Sequence, residues 1–419
     1  MTNKLLYEMT RHAYSTVSYY TSRENAPKDF DPAQFDKQFP TIPYLYKDQV
    51  LHNETQFISD AYRTDFYEGN LIKRHTSGST GSCLNVYWSM SDDTFANLSV
   101  WKYRSEWYGV GPTDHFITFH TTQYRANRFV ENPDEIYSDG LNLSLNKLNL
   151  SEDSVPRFLK KIEAFQPTWI QAQPSVIHLI LSLMPPESAH ALDTVRYIEL
   201  TGEYLHAGIR EYIQDRLPHV QIANMYGAIE VGTIALECPR GHQHVITNNA
   251  FVEIIDDQHK RVMNQEGHVV VTGLKNTTMP FIRYWLGDMA VLSDTACNCG
   301  CPLPVIKLTA GREGQDLILA GGQRLPCYVL LYPIERINDE FSSPIVQFQA
   351  AQKAPGRFVV HLFIRDECRN WFGAIQNAFL ESIRKYIPEG AQWEFVLQDW
   401  HTAPVTNKLQ FFVRDEQGG

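Results

Sequence analysis

The chain has no apolar run long enough to cross a bilayer. Its most apolar stretch, Ser175 to Met184, is interrupted by His178 and is far too short. The segment Met1 to Glu8 lacks the basic-then-apolar shape of a secretory leader, so the expectation is a cytoplasmic chain with no membrane partner. No Lys/Arg-rich tract occurs, and the charge balance of 37 − 48 = −11 lacks the basic footprint of a nucleic-acid binder. Internal repeats and low-complexity segments are missing, which excludes a solenoid or a linker-rich chain. Cysteine is scarce and odd in number: seven, at Cys83, Cys238, Cys297, Cys299, Cys301, Cys327 and Cys368. An odd count in a large cytosolic chain argues against a disulfide framework. Cys83, Cys327 and Cys368 are read as packing residues.

What is there reads as a folded protein of more than one unit. At 419 residues the chain exceeds what one core usually supports, so two or three domains are expected. A hydrophobic share of 43% against 20% charged residues is ordinary for a soluble fold. Helix signals at Ser89 to Tyr108, where Ser91-Asp92-Asp93 offers N-cap chemistry and Gly109 a stop, are followed by an alternating strand at His115 to His120. Ser151-Glu152-Asp153 caps a helix running to Phe165, and another helix follows Pro174-Ser175. Apolar strands are expected at Thr168–Ala172, Val195–Leu200 and Gln221–Gly227. Strands alternating with helices mean an α/β sheet, whose ligands gather beyond the carboxyl ends of the strands. That places the loops at 76–81, 201–204 and 224–230 near one another.

From about residue 235 the texture changes to antiparallel β, at Phe251–Asp257 and Gly267–Thr272. A compact α+β pattern then closes the chain: a strand at Arg357–Phe363, a helix from about Asn370 to Tyr386 and a strand at Trp393–Val396. The expected division is a large N-terminal domain over 1–313, with a β-rich lobe at about 235–310, and a small mobile α+β domain over 314–419.

Thr76-Ser77-Gly78-Ser79-Thr80-Gly81 concentrates hydroxyls and glycines between two strand-like segments. Such a loop suits a phosphate chain, because glycine permits close backbone approach and free N–H groups attract anions. No Lys follows the last Gly, so it is not a Walker loop. Read singly, this loop is a turn, Tyr226-Gly227 a turn beside a core Tyr, Gly287-Asp288 a hairpin turn and Lys408 a solvated tail residue. Their order decides otherwise: Arg74 to Gly81, Thr201-Gly202-Glu203, Met225-Tyr226-Gly227-Ala228-Ile229-Glu230, Arg283 to Asp288, Gly311-Arg312 and Thr406-Asn407-Lys408. This series resembles the adenylate-forming (acyl/aryl-CoA ligase, AMP-binding) superfamily over nearly the whole chain. The nearest branch is the phenylacetate–CoA ligase group, with CapK-like and coenzyme F390 synthetase-like proteins.

The resemblance implies ATP-dependent activation of a small, aromatic-type carboxylic acid to an acyl-AMP. Transfer would follow to a thiol (CoA or a carrier protein) or to an amine. Thr76, Ser77, Ser79 and Thr80, with Gly78 and Gly81, would hold the β/γ-phosphates. Gly202 and Glu203 would border the adenine, Tyr226 would stack on it beside Gly227, and Asp288 would accept the ribose hydroxyls. Glu230 would help hold Mg²⁺, a hard cation that prefers carboxylate oxygen. Arg312 would contact ribose or phosphate, and Lys408 would bridge the acid and the α-phosphate. A homodimer is a branch-level expectation only. One departure bears on rate: Ile229 stands where the family usually has Thr or Ser touching the α-phosphate. An alternative is therefore a weakened member that binds an aryl acid or acyl-adenylate without efficient turnover.

Cys238-Pro239-Arg240-Gly241-His242-Gln243-His244 precedes Cys297-Asn298-Cys299-Gly300-Cys301. Thiolate and imidazole are preferred zinc ligands, and a closed structural site takes four. Cys238, His244, Cys297 and Cys299 are the favoured set for a structural Zn²⁺, with His242 and Cys301 as alternates.

Overall fold

A computed structural model describes every residue except 1–3, 23–29, 77–83, 121–122, 126–127, 131–134, 148–149, 152, 204, 206, 310–315, 342–343, 365, 388, 399–411 and 415–419. Its centre is a 13-stranded sheet. Five neighbouring strands run parallel, in the order Asn142–Asn146, Phe116–His120, Trp169–Ala172, Tyr197–Thr201 and Gln221–Ala228. Parallel strands are buried on both faces and so carry apolar residues at successive positions. Ile170, Ile198 and Leu200 pack on one side against the helices Val155–Phe165 and Pro174–Ser182. Trp169, Tyr197 and Ala223 pack on the other side against Val100 and Tyr108 of the long helix Met90–Tyr108.

That helix is capped two residues before the Ser91-Asp92-Asp93 run. Ser89 is the N-cap, its Oγ accepting from the Asp92 N–H at 3.1 Å. Asp92 does not cap. It is buried and accepts from the N–H groups of Thr277 and Thr278, at 2.8 and 3.0 Å, and from both their hydroxyls. Gly109 ends the helix in the left-handed region (φ 65), as glycine does at little cost. The next helix begins later than expected, at Val155, after a mutual Ser151–Ser154 hydrogen-bonded turn.

The expected β-rich lobe is the antiparallel half of this same sheet. After Gln221–Ala228 the same sheet continues antiparallel through Gly232–Glu237, Gln243–Val245, Val305–Thr309, Tyr284–Ser293, Glu266–Gly273, Ala250–Ile255 and Arg261–Val262. The expected loop at 224–230 is mostly strand, because Gly227 and Ala228 pair with Thr233 and Gly232 in a tight hairpin.

Residues beyond 316 form a four-stranded sheet in the order Gln392–Gln398, Arg357–Ile364, Ile345–Ala354 and Phe412–Arg414. The helices Leu331–Glu340 and Phe372–Ile383 share its core, and that core, Leu317 to Phe412, draws on no buried residue before Leu317. The expected boundary at 313/314 lies outside the described residues. No helix among the described residues is long and apolar enough to cross a membrane.

Candidate active site and metal centre

Ile72–His75 and Asn85–Trp88 form an antiparallel hairpin whose connection contains the hydroxyl-glycine loop. Thr76 closes its base: its N–H donates to the Leu84 carbonyl at 2.9 Å, and its Oγ1 accepts from the Leu84 N–H at 2.8 Å. Thr76 is thus a buried hinge pin for the loop. Ser77, Gly78, Ser79, Thr80 and Gly81 lie outside the described residues, as do Arg312 and Lys408. The hairpin is fixed from several sides. The Trp88 indole donates to the Ile229 carbonyl at 3.1 Å, Asn276 donates to the Tyr87 carbonyl at 3.1 Å, and Arg74 pairs with Asp93 at 2.8 Å.

The Trp88–Ile229 bond sets the loop hairpin beside the strand ends. Thr201 and Met225 are register partners, so Gly202 and Glu203 emerge next to Tyr226 and Gly227. Gly202 takes φ +81, and the Gln173 side chain lies 3.5 Å from where its Cβ would stand. Tyr226 donates its hydroxyl to Asp288 at 2.9 Å, which brings together two expected nucleotide contacts from strands far apart in sequence. Tyr226 is only 9% exposed, so a stacked adenine would meet a small part of its ring. Gly227 is required by space: a Cβ there would lie 2.9 Å from the Gly232 carbonyl oxygen.

Glu230 is buried and accepts from the Tyr284 hydroxyl at 2.9 Å. Burial, reinforced by the Glu230 carboxylate, holds the Tyr284 phenol well above its usual range, so it stays a donor. Glu203 accepts from the hydroxyl of Tyr332, at 2.5 Å, and the Lys147 ammonium lies 5.2 Å from the Tyr332 ring centre. Sequence reading passed over Tyr284, Tyr332, Lys147 and Trp88. Tyr284 carried a signal, since it stands inside the Arg283–Asp288 segment. Arg283 of that segment is structural: it pairs with Glu253 at 3.0 Å and donates to the carbonyls of Pro40 and Ile42.

Cys238, His244, Cys297 and Cys299 converge, with one donor atom from each lying within 4.8 Å of all the others. Cys299 Sγ is 3.2 Å from His244 Nε2, and His244 Nδ1 is 2.9 Å from the Leu303 carbonyl, a partner that fixes ring orientation. The backbone N–H groups of Cys299 and Cys301 point to Cys297 Sγ and Cys299 Sγ, at 3.5 and 3.4 Å. Such N–H···S contacts favour thiolate. Burial raises the Cys299 thiol, but these donors outweigh it and its pKa falls below the usual value. Burial pushes Cys238 up to about 11. A dication would reverse that, because its charge favours the ligating thiolate. The donor types and their spacing fit a tetrahedral zinc. The alternates are neighbours: His242 Nδ1 lies 3.5 Å from Cys297 Sγ, and Cys301 supplies the N–H to Cys299. None of the six described cysteines forms a disulfide.

Comparison with known proteins identifies the family and the fold. Residues 74–280 match the family described as AMP-binding enzyme. Phenylacetate-coenzyme A ligase of Thermus thermophilus is 25% identical over 194 residues, 45% of this chain and 43% of that one. Protein CapK of Staphylococcus aureus is 22% identical over 254 residues, 60% of this chain and 54% of that one. The matched part of the chain thus spans about half the length of these curated relatives. Among solved structures, 2-hydroxyisobutyryl-CoA ligase in complex with 2-HIB-AMP and CoA superposes with a TM-score of 0.60 at 15% identity, covering 99% of this chain and 88% of that one. The same ligase in its postadenylation state gives 0.58 at 13% identity, over 98% and 88%. These superpositions establish the fold. With the family domain matched from Arg74 to Pro280, and both curated relatives in one branch, the chain belongs to the adenylate-forming (AMP-binding) superfamily, on its phenylacetate–CoA ligase and CapK-like side.

Proposed function

We propose that the protein joins a small carboxylic acid to ATP and passes the acyl group to a thiol. In the first step a carboxylate oxygen attacks the α-phosphorus and pyrophosphate leaves. In the second the thiol sulfur attacks the acyl carbon and AMP leaves. Such chemistry depends on positioning and on donors aimed at developing charge. The observation that carries the reading is the convergence of Tyr226 on Asp288, with Glu230 held by Tyr284, beside the hairpin that bears the hydroxyl-glycine loop. In this reading Asp288 accepts the ribose hydroxyls, Gly202 and Glu203 border the adenine, and Glu230 contributes to Mg²⁺ binding. The loop hydroxyls hold the β/γ-phosphates, Arg312 contacts ribose or phosphate from the end of the N-terminal domain, and Lys408 acts from the lid domain. CoA is the favoured acceptor, since one curated relative and the superposed ligase are named for it.

The reading extends to organisation. Residues 314–419 form a lid domain, supported by a core that starts at Leu317. Cys238, His244, Cys297 and Cys299 hold a structural Zn²⁺ that ties the turn after Gly232–Glu237 to the loop before Val305–Thr309. Acid-dependent exchange of labelled pyrophosphate into ATP tests the first step, with a panel of aryl and short aliphatic acids. No exchange with any acid, from protein that binds ATP, refutes it. One observation favours a second reading, a slow or binding-only member: Ile229 places a hydrocarbon where a hydroxyl would serve the α-phosphate.

A further inference from the structure

A cavity of about 360 Å³ lies between the helix Met90–Tyr108 and the parallel strands. Asp93, Thr94, Asn97, Leu98, Trp101 and Arg104 form its helix wall, and Phe116, Trp169 and Gln171 form its sheet wall. That volume is at the small end of the range of pockets that enclose small molecules. Two of its lining residues, Asp93 and Gln171, connect it to segments of the proposed nucleotide site. Asp93 pairs with Arg74, two residues before the phosphate loop begins. Gln171 lies two residues, or about 7 Å along a strand, before Gln173, which packs on Gly202.

Three aromatic rings give the cavity flat walls. Phe116 stacks on Trp169 at 4.8 Å, and Trp101 meets Trp169 edge-on at 5.6 Å. The Arg104 guanidinium sits against both Trp101 and Trp169, 4.8 and 5.1 Å from their ring centres. Its Nε and Nη2 donate to Glu199 at 2.8 and 2.6 Å, and Gln171 and Tyr197 donate to the same carboxylate. Among the described residues no group accepts from Arg104 Nη1, and none accepts from the buried Trp169 Nε1. Trp169 Nε1 is fully buried, whereas Arg104 Nη1 is not among the buried unsatisfied atoms, so Nη1 is the donor left open to an acceptor in the cavity. The wall is not short of charge, because Glu199 neutralises Arg104 and Arg74 neutralises Asp93.

We infer that this cavity seats the tail of the acid, resting on the proposed adenylation, and that it selects a flat, uncharged tail carrying a hydrogen-bond acceptor. The acceptor, a carbonyl, ether or phenol oxygen, meets Arg104 Nη1 beside the tryptophan pair. A ring without such an oxygen leaves that donor unpaired. A second carboxylate would be desolvated with no unpaired cation to meet it among the lining residues. A site built to hydrogen-bond its substrate discriminates strongly against the analogue that lacks the group.

The test uses acid-dependent pyrophosphate exchange and calorimetry on full-length protein with three matched aryl acids: unsubstituted, para-acetyl and para-carboxy. Wild type is expected to prefer the para-acetyl acid over the unsubstituted one by about 10- to 100-fold in kcat/KM and to use the para-carboxy acid least. Leu98→Trp, which adds bulk at the cavity wall, and Trp101→Ala, which widens it, are expected to move that ranking in opposite directions while ATP affinity holds. An unchanged ranking in both variants, with exchange intact, overturns the cavity assignment and leaves the proposed function standing. Exchange by wild type without preference for the acceptor-bearing acid overturns the selectivity. Neither exchange nor calorimetric binding with any acid overturns this inference together with the function on which it rests.

Discussion

Replacing Ile229 by Thr should raise the rate of adenylation. The main chain at this position is already anchored. The Ile229 carbonyl accepts from the indole of the buried Trp88 at 3.1 Å, and the following residue, Glu230, is held by Tyr284 at 2.9 Å. A hydroxyl introduced between these anchors arrives at a set place and needs no new ordering of backbone. A hydrogen bond to a charged group contributes about 1.5–3 kcal/mol. Realised only when charge builds on the α-phosphate, it would speed the step by about 10- to 150-fold. The opposing term falls on folding. Ile229 is half-buried against the main core, so trimming it costs of order 1 kcal/mol of stability, as other small truncations of packed aliphatics do. Pyrophosphate exchange at saturating ATP and acid measures the gain, and urea denaturation measures the cost. Unchanged or slower exchange by a variant that folds as well as the parent would show that no phosphate oxygen comes near residue 229, and the assignment of the Tyr226–Glu230 segment would fail with it.

Gly227→Ala forces a methyl to 2.9 Å from the Gly232 carbonyl, so the hairpin must shift; expect about 1–3 kcal/mol of lost stability and at least a tenfold fall in exchange, whereas Gly111→Ala, which meets nothing within 4 Å, should change neither. Glu199→Gln leaves the buried Arg104 cation without its partner and should cost about 3–5 kcal/mol in urea titrations. The pH dependence has a definite sign. Burial raises the Glu199 carboxyl, but Arg104, Gln171 and Tyr197 outweigh it, and its folded pKa lies below the usual carboxylate value. Its stabilisation is therefore present above the unfolded value of about 4.3 and is lost as pH falls through the lower folded value; the Gln variant should lose that acid limb. For the metal centre, elemental analysis should find one zinc per chain, and Cys238→Ala or a chelator should remove it and lower the denaturation midpoint. A metal-free chain of unchanged stability would refute the assignment.

Much of the fold was legible because its signals are local. The strands Trp169–Ala172 and Tyr197–Thr201 are apolar runs, and the helix Met90–Tyr108 stops at a glycine. The convergence of Cys238, His244, Cys297 and Cys299 was legible too, since thiolate and imidazole spacing is a chemical signature. The strand Asn142–Asn146 escaped notice because its polar residues Asn142, Ser144 and Asn146 read as loop. In the sheet Ser144 sits under hydrogen bonds from Thr118 and His120, which supply the partners that water would otherwise give. The β-rich lobe was legible as strands, but its place in the sheet was not. Hydrophobic alternation identifies strands but not which sheet they join, and here the hairpin at Gly227–Gly232 extends the parallel sheet into the antiparallel one.

Asp92 shows where local reading fails in principle. As an acidic residue in a first helical turn it reads as a favourable charge on the helix dipole. Its actual partners, Thr277 and Thr278, stand 185 and 186 positions away. Four donors around one buried carboxylate fix the turn at Asn276–Pro280 to the helix. Asn276 and Thr278 then reach the loop hairpin through the Tyr87 carbonyl and the Ser89 N–H. The hairpin that carries the proposed phosphate loop is thus aligned by a residue outside every motif. Arg104 and Glu199 belong to the same class, a charge pair joined across 95 residues beneath the proposed acid site. Motifs mark the groups that would touch a nucleotide. The groups that set those motifs in place are ordinary residue types, and only their tertiary partners reveal the role.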